Sequence, residues 1–271
     1  MKKLTILTTM LLILLLTTLL ISGCQTILVS KNGETEAGEV ETRQYDFSEF
    51  THVDISSAFS YEIMQSDIYS ISITANNNLF DDIKVAKERQ TLIIGVEIPG
   101  APWTMFNTNP SLKAVITMPY LDGLDSSGAT RGIVADFRST ENLDVIASGA
   151  STVELLKISA ADTAFNLSGA SKVTGDIEAK NMELEISGAS TVLLKGSVDG
   201  MSADVSGASH LKLADLKMGN ASVSLSGASN GTINLNGTLD VELSGASTLE
   251  YIGEPALGIM DITGASKLKK K

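Results

Sequence analysis

The chain has 271 residues, 43% apolar but only 5% aromatic, with 23 glycines and a formal net charge of −12; this is material for one large or two small domains built from many short strands. The acidity opposes contact with a phosphate backbone, so no nucleic-acid partner is expected. One cysteine, Cys24, and two histidines, His52 and His210, allow no intrachain disulfide and give little material for a zinc site or a histidine-activated nucleophile; no cofactor is expected.

The chain opens "MKKLTILTTMLLILLLTTLLISGC". Lys2 and Lys3 precede 18 residues without charge, Leu4 to Ile21, and Ser22-Gly23-Cys24 closes the stretch. A positive start, an apolar middle and small residues at the end read as an export signal, although the run is also long enough for a minimal membrane-spanning helix. Ile21-Ser22-Gly23-Cys24 resembles the bacterial lipobox. The resemblance implies that residues 1–23 are a signal peptide and that Cys24 carries the lipid, an anchor strong enough to hold the domain at a membrane of the cell envelope, outside the cytoplasm. Residues 24–42 are polar, acidic and glycine-containing, and read as a tether; a short strand at Thr26–Val29 is the alternative.

Residues 43–122 alternate apolar and polar positions in "FTHVDISSAFSYEIMQ", "YSISITAN", "KERQTLIIGVEIP" and "LKAVITMPYLDGL", the period of half-buried strands. They form the first rungs or a strand-rich cap. "APWTMFNTNPS" (101–111), with two prolines, breaks the pattern and reads as a long loop. Its Trp103, Met105 and Phe106 are the ligand-contact candidates if the loop binds, and flank-covering residues if it does not.

From residue 123 to 271 one small word recurs. Ser127-Gly128-Ala129-Thr130 is followed by Ser-Gly-Ala-Ser at 148, 168, 187, 206, 226 and 244, and by Thr263-Gly264-Ala265-Ser266, with intervals of 21, 20, 19, 19, 20, 18 and 19 residues. A regular period of this size marks a solenoid. The position before the first Ser reads Ser126, Ala147, Leu167, Ile186, Val205, Leu225, Leu243, Ile262; three before reads Leu124, Val145, Phe165, Leu184, Ala203, Val223, Val241, Met260; five after is again mostly apolar. The position two before is mostly polar or acidic. A strand therefore enters each word and another leaves it, and the word is a corner. Gly suits a turn that needs positive φ, Ser can bond backbone at a bend, and Ala is expected to fill a cramped inward position. The expected fold is all-β: a parallel β-helix with rungs of about 19–20 residues, flattened or three-sided, its strands stacked about 4.8 Å apart. The terminal "KLKKK", Lys267–Lys271, suits a strand edge protected by charge.

The outward column two places before the word contains Glu185 and Asp204, then Glu242 and Asp261. Neighbouring rungs put such carboxylates about 5 Å apart, a spacing that suits a calcium ion, a sugar-contacting face or glycosidase chemistry. The plainer reading is a solvated acidic face without metal. Gly227-Ala228-Ser229-Asn230-Gly231 matches the nucleophile-elbow pattern, but no histidine follows it and the match falls out of the repeat. His210 falls in an outward polar column, and His52 has no visible partner.

The order lipobox, "VDISSAFSYEIMQ…YSISITAN", "LKAVITMPYLDGLDSSGAT" and serial "SGAS" resembles the bacterial auto-transporter adhesin head family with the GIN-type domain (the DUF2807 group), over about residues 45–268. The resemblance implies a right-handed parallel β-helix on an exported, envelope-anchored protein and brings no catalytic residues with it. The expected function is non-catalytic: adhesin-like or structural contact with a surface glycan or protein. The alternative is a polysaccharide-active or calcium-dependent carbohydrate-binding β-helix that uses the outward carboxylates.

Overall fold

Eight corners, stacked one above another, bound a β-solenoid of about seven turns. The computed structural model describes residues 38–97 and 111–271. Its strands are β1 (Val40–Tyr45), β2 (His52–Ile55), β3 (Ser60–Gln65), β4 (Ser70–Asn76), then a 3₁₀ turn at Asn77–Leu79, β5 (Ile83–Glu88), β6 (Thr91–Val96), β7 (Leu112–Met118), β8 (Gly123–Ser126), β9 (Arg131–Ala135) and β10 (Leu143–Ala147). There follow β11 (Thr152–Ser159), β12 (Asp162–Leu167), β13 (Lys172–Ile186), β14 (Thr191–Val205), β15 (His210–Leu225), β16 (Asn230–Leu235), β17 (Thr238–Leu243), β18 (Thr248–Ile252), β19 (Ala256–Ile262) and β20 (Lys267–Lys270).

Strands that enter the corner form one parallel sheet: β6, β2, β8, β10, β12, the C-terminal parts of β13, β14 and β15, then β17 and β19. Strands that leave it form a second: β7, β3, β9, β11, the N-terminal parts of β13 to β15, then β16, β18 and β20. The middles of β13, β14 and β15 make a third side, where Ile177 pairs with Gly196 and Gly196 with Leu216. Stack order and chain order differ at the start. β6 and β7 lie on one side of β2 and β3, and β8 and β9 on the other. Antiparallel β5 then covers β6, while β4 and β1 extend the second sheet from β7. Leu79, Phe80 and Ile83 are buried at this end.

The corner works through its backbone. Gly169, Gly188, Gly207, Gly227, Gly245 and Gly264 all have φ between +69° and +75°, a region that only glycine enters without strain. The N–H of each following alanine donates to the glycine carbonyl one rung back: Ala189 to Gly169, Ala208 to Gly188 and Ala228 to Gly207, each at 2.8 Å. A Cβ on Gly207 would lie 2.4 Å from the Gly188 carbonyl oxygen, the same oxygen that accepts this bond. Glycine is thus required twice, for the turn and for the approach of the rungs.

The side chains of the word are arranged differently from the expectation. Ala189 and its equivalents face solvent, and the fourth residue is the inward one: Ser151, Ser171, Ser190, Ser209, Ser229 and Ser247 are at most 1% exposed. The buried hydroxyl is satisfied locally. Ser171 Oγ donates to the Ser168 carbonyl at 2.8 Å, Ser190 to Ser187 at 2.9 Å and Ser229 to Ser226 at 2.8 Å. The serine therefore cross-braces its own corner from inside, while the alanine is merely small at the surface.

Two exceptions in the apolar columns, Ser126 and Gly132, have one cause. Tyr61 is 2% exposed, and its ring fills the space at Gly132, where a Cβ would come within 1.8 Å of it. Its hydroxyl donates to Ser126 Oγ at 3.0 Å; Ser126 and Thr130 share a 2.6 Å bond, and Thr130 donates to Ser151 Oγ at 3.0 Å. Burial pushes the Tyr61 phenol well above its usual pKa. "ISSAFS" is a variant corner: Ser57 takes the glycine's position at φ +68°, and buried Phe59 takes that of the inward serine.

These assignments predict opposite outcomes at adjacent residues. Ala189→Leu leaves stability within about 0.5 kcal/mol, as for ordinary surface positions. Ser190→Leu overpacks the interior and costs about 1–3 kcal/mol or more. Gly207→Ala combines backbone strain with a carbonyl clash and costs at least about 2 kcal/mol. Urea denaturation of the three variants checks this; a destabilised Ala189→Leu beside an unchanged Ser190→Leu would reverse the orientation of the corner.

Candidate functional surface

Period-two alternation leaves every second strand residue outside, so the surface consists of ladders one residue wide. On the first sheet the ladder two places before the corner carries Asp125, Glu185, Asp204, Glu242 and Asp261; four places before lie Asp144, Glu183 and Asp240; Asp162 stands farther out. From β8 to β19 this sheet has no lysine or arginine. The second sheet differs. Over the same rungs its outward residues include Arg131, Lys172, Lys212, Lys267 and Lys269, with only Glu154 and Glu250 as acids. Opposite charges are thus segregated onto different sides of one rigid prism.

Register places Glu185 beside Asp204 and Glu242 beside Asp261, with Ser224 between the pairs. Asn166 Nδ2 donates to Glu185 Oε2 at 2.9 Å, which relieves part of the crowding. The four candidate carboxylates form two pairs and never a triplet, and among the described residues no group of three or more His, Cys, Asp or Glu could hold a metal ion. Along the third corner of the coil runs an amide ladder that the sequence reading did not find. Asn181 Nδ2 donates to Asp162 Oδ1 at 2.8 Å, and the Thr238 N–H donates to Asn220 Oδ1 at 2.8 Å. Beside it lies an open groove of about 800 Å³, lined by Asp144, Asn181, Glu183, Asn220, Ser222 and Asp240. Its walls offer carboxylates, amides and hydroxyls, and no aromatic ring.

His52 does have a partner. Its ring lies across Gly123, where a Cβ would be 1.9 Å from Nδ1, and its Nε2 is 3.3 Å from Asp125 Oδ2. Hydrogen bonding to Asp125 raises the His52 pKa, with the charges of Asp122 and Asp54 adding to it. Asp54, two residues along β2 from His52 and paired with Asp125, is raised by burial and then by Asp125. The signal was available: "ISSAFS" as a corner puts His52 and Asp54 in the same ladders as Gly123 and Asp125. His210 faces outward as expected. Ser229 of the elbow-like stretch is fully buried and donates to the Ser226 carbonyl, so it presents no hydroxyl to a substrate. Cys24, Trp103, Met105 and Phe106 lie outside the described residues.

A family model described as "Putative auto-transporter adhesin, head GIN domain" matches residues 49–255. The chain belongs to this family. Solved structures share the fold of this GIN-domain chain. A "putative lipid binding protein" from Parabacteroides distasonis is 21% identical with a TM-score of 0.78, over 86% of this chain and 97% of its own. A "putative adhesin" from the same organism is 15% identical with a TM-score of 0.78, over 86% and 98%. A "putative adhesin" from Parabacteroides merdae is 16% identical with a TM-score of 0.77, over 86% and 97%. At these identities the likeness is one of fold. None of the curated proteins matches the chain. Among the described residues of the GIN-domain chain, no helix is long and apolar enough to cross a membrane.

The pH response of the His52 pair has a definite sign. A histidine whose pKa is raised by folding stabilises fully below its unfolded value, about 6.5, and the contribution fades as pH rises through the folded value. Asp54, also raised, acts in the same direction, because its ionised form is the one that folding disfavours. The protein is expected to be less stable at mildly alkaline than at mildly acid pH, the loss coming as pH rises through the raised His52 value. His52→Gln should flatten most of that slope in urea titrations at the two pH values; an unchanged slope would dissociate it from the pair.

Proposed function

We propose that this chain is an exported, non-catalytic contact module, anchored at the cell envelope by a lipid on Cys24, which uses its acidic first sheet to hold a partner surface. The observation that carries this reading is the segregation of charge. A rigid ladder of carboxylates on strands that carry no lysine or arginine suits a partner protein rich in those residues, and complementary fields give association its rate and register. Membership of an adhesin head family supports a role at the surface. Trp103, Met105 and Phe106 are a further contact element in this reading. β6 and β7, which bracket them in sequence, belong to the rung on the outer side of β2 and β3. The pairing of Glu185 with Asp204 and of Glu242 with Asp261 is the observation behind a second reading, polysaccharide-active or calcium-dependent carbohydrate-binding chemistry at these carboxylates.

Two measurements test the proposal. Cys24→Ala should abolish labelling with radioactive palmitate and move the protein from the membrane to the aqueous fraction; a variant that stays in the membrane would point to a spanning N-terminal helix. Residues 37–271 form one compact unit whose fully buried apolar residues, among those described, run from Phe50 to Leu249. Displayed against protein and glycan arrays, this unit should bind basic proteins without calcium and lose affinity as salt rises. The Glu183→Gln/Glu185→Gln/Asp204→Asn variant should bind roughly tenfold more weakly, as expected when countercharge is removed. Glycan binding that needs calcium would favour the second reading instead.

A further inference from the structure

The two ends of the solenoid are finished differently. At the N-terminal end, antiparallel strands and buried Leu79, Phe80 and Ile83 close the interior, with the Arg43 guanidinium 4.0 Å above the Phe80 ring. At the other end the last rung, β19 with β20, has no covering element among the described residues. β19 continues the inward columns, Leu257 after Leu239, Met260 after Val241 and Ile262 after Leu243, yet Leu257 is 52% and Ile262 42% exposed. Ile259 is 74% exposed. This rung lies beyond residue 255, where the family match stops.

The exposed strands carry opposite outward charges. Asp261 is the outward acid of β19, and Lys267 and Lys269 are the outward bases of β20. Lys270 and Lys271 are occupied by Glu254 and Glu250. Asp261, Lys267 and Lys269 form no ion pair among the described residues. β19 runs into the corner at Thr263–Ser266 and β20 runs out of it. A two-fold axis through this corner therefore lays β19 of one copy antiparallel on β20 of a second, and β20 on β19. Matching inward with inward sets the register. Ile262 falls opposite Leu268 of the second copy, Met260 opposite the stem of Lys270, and Asp261 opposite Lys269. Pairing β20 with β20 would instead bring lysines together, which is destabilising for residues directly opposed across strands.

We infer that the C-terminal end is a docking surface for a second copy of this chain, joined by two symmetric β19–β20 pairings. The contact is isologous and closes on itself. It removes both free strand edges and covers the apolar end of the core. The paired acidic and basic sheets alternate across the junction, because the first sheet of one copy continues into the second sheet of the other. This inference does not depend on the proposed ligand of the first sheet.

Sedimentation velocity on the 37–271 unit tests it. The expected result is a concentration-dependent step from monomer to dimer with no larger species. Asp261→Lys and Lys269→Glu should each weaken dimerisation about tenfold, since each replaces two cross-strand attractions with repulsions, and the double variant Asp261→Lys/Lys269→Glu should regain most of the loss. Ile262→Asp should leave a monomer whose circular dichroism and melting still report a folded solenoid. A unit that stays monomeric at every soluble concentration overturns the inference. So does a dimer indifferent to both charge reversals, and so does open-ended growth, which would mean head-to-tail contact.

Discussion

The structure depends on one hydrogen bond, repeated at six corners from Ala170 to Ala265: the alanine N–H donates to the glycine carbonyl of the corner before it. A chain that turns three times per rung must keep its backbone groups paired through the bends, because unpaired buried N–H and C=O groups cost as much as lost hydrogen bonds. Here the parallel ladder runs through the bend without a break. The N–H before the glycine and the N–H after the last serine also donate to the preceding rung, as in Ser206 to Ile186 and His210 to Ser190. Rung spacing, the demand for glycine and the coincidence of columns all follow from holding these short contacts in line.

Most of this architecture was legible because a solenoid writes each structural position once per turn. The apolar columns before and after the word and the corner itself were readable from spacing, and the degenerate corner at Ile55–Ser60 from the likeness of "ISSAFS" to "ISGAS". The orientation of the corner was misjudged, although the rule that decides it was present. Inward residues lie at odd offsets from the first serine, and the alternation continues through the bend, so alanine at an even offset points out and the last serine points in. Size alone suggested the reverse, because small residues are so often read as tightly packed. Ser126 and Gly132 could not be interpreted without the structure: their reason is Tyr61, some 65 residues earlier in sequence.

The candidate surface was legible in part. Individual acids stood out in one ladder, but their isolation from every lysine and arginine became visible only when strands were assigned to sides. The amide ladder of the third corner repeats as Asn142, Asp162, Asn181 and Asn220, with a gap at Gly200, a pattern too loose to mark a corner by itself. The other bends vary in length and bulge, as the register shifts between Leu193 and Lys195 and between Lys212 and Lys217 show. One corner is rigidly specified and the others absorb variation, so interval lengths can range from 18 to 21 residues without breaking the stack.

The inverted order of the first rungs has a consequence for how the chain assembles. From β8 onward each new turn adds to the one just made, so structure can grow by short-range addition of neighbouring units. β2 and β3 are different. They are flanked on one side by β6 and β7 and on the other by β8 and β9, so neither is paired on both edges until β8 and β9, Gly123–Ser126 and Arg131–Ala135, have followed. The N-terminal end of the solenoid is thus a clasp that closes late around strands already made. A chain halted before β8 would display the unpaired edges of β2 and β3, which are templates for pairing with another chain.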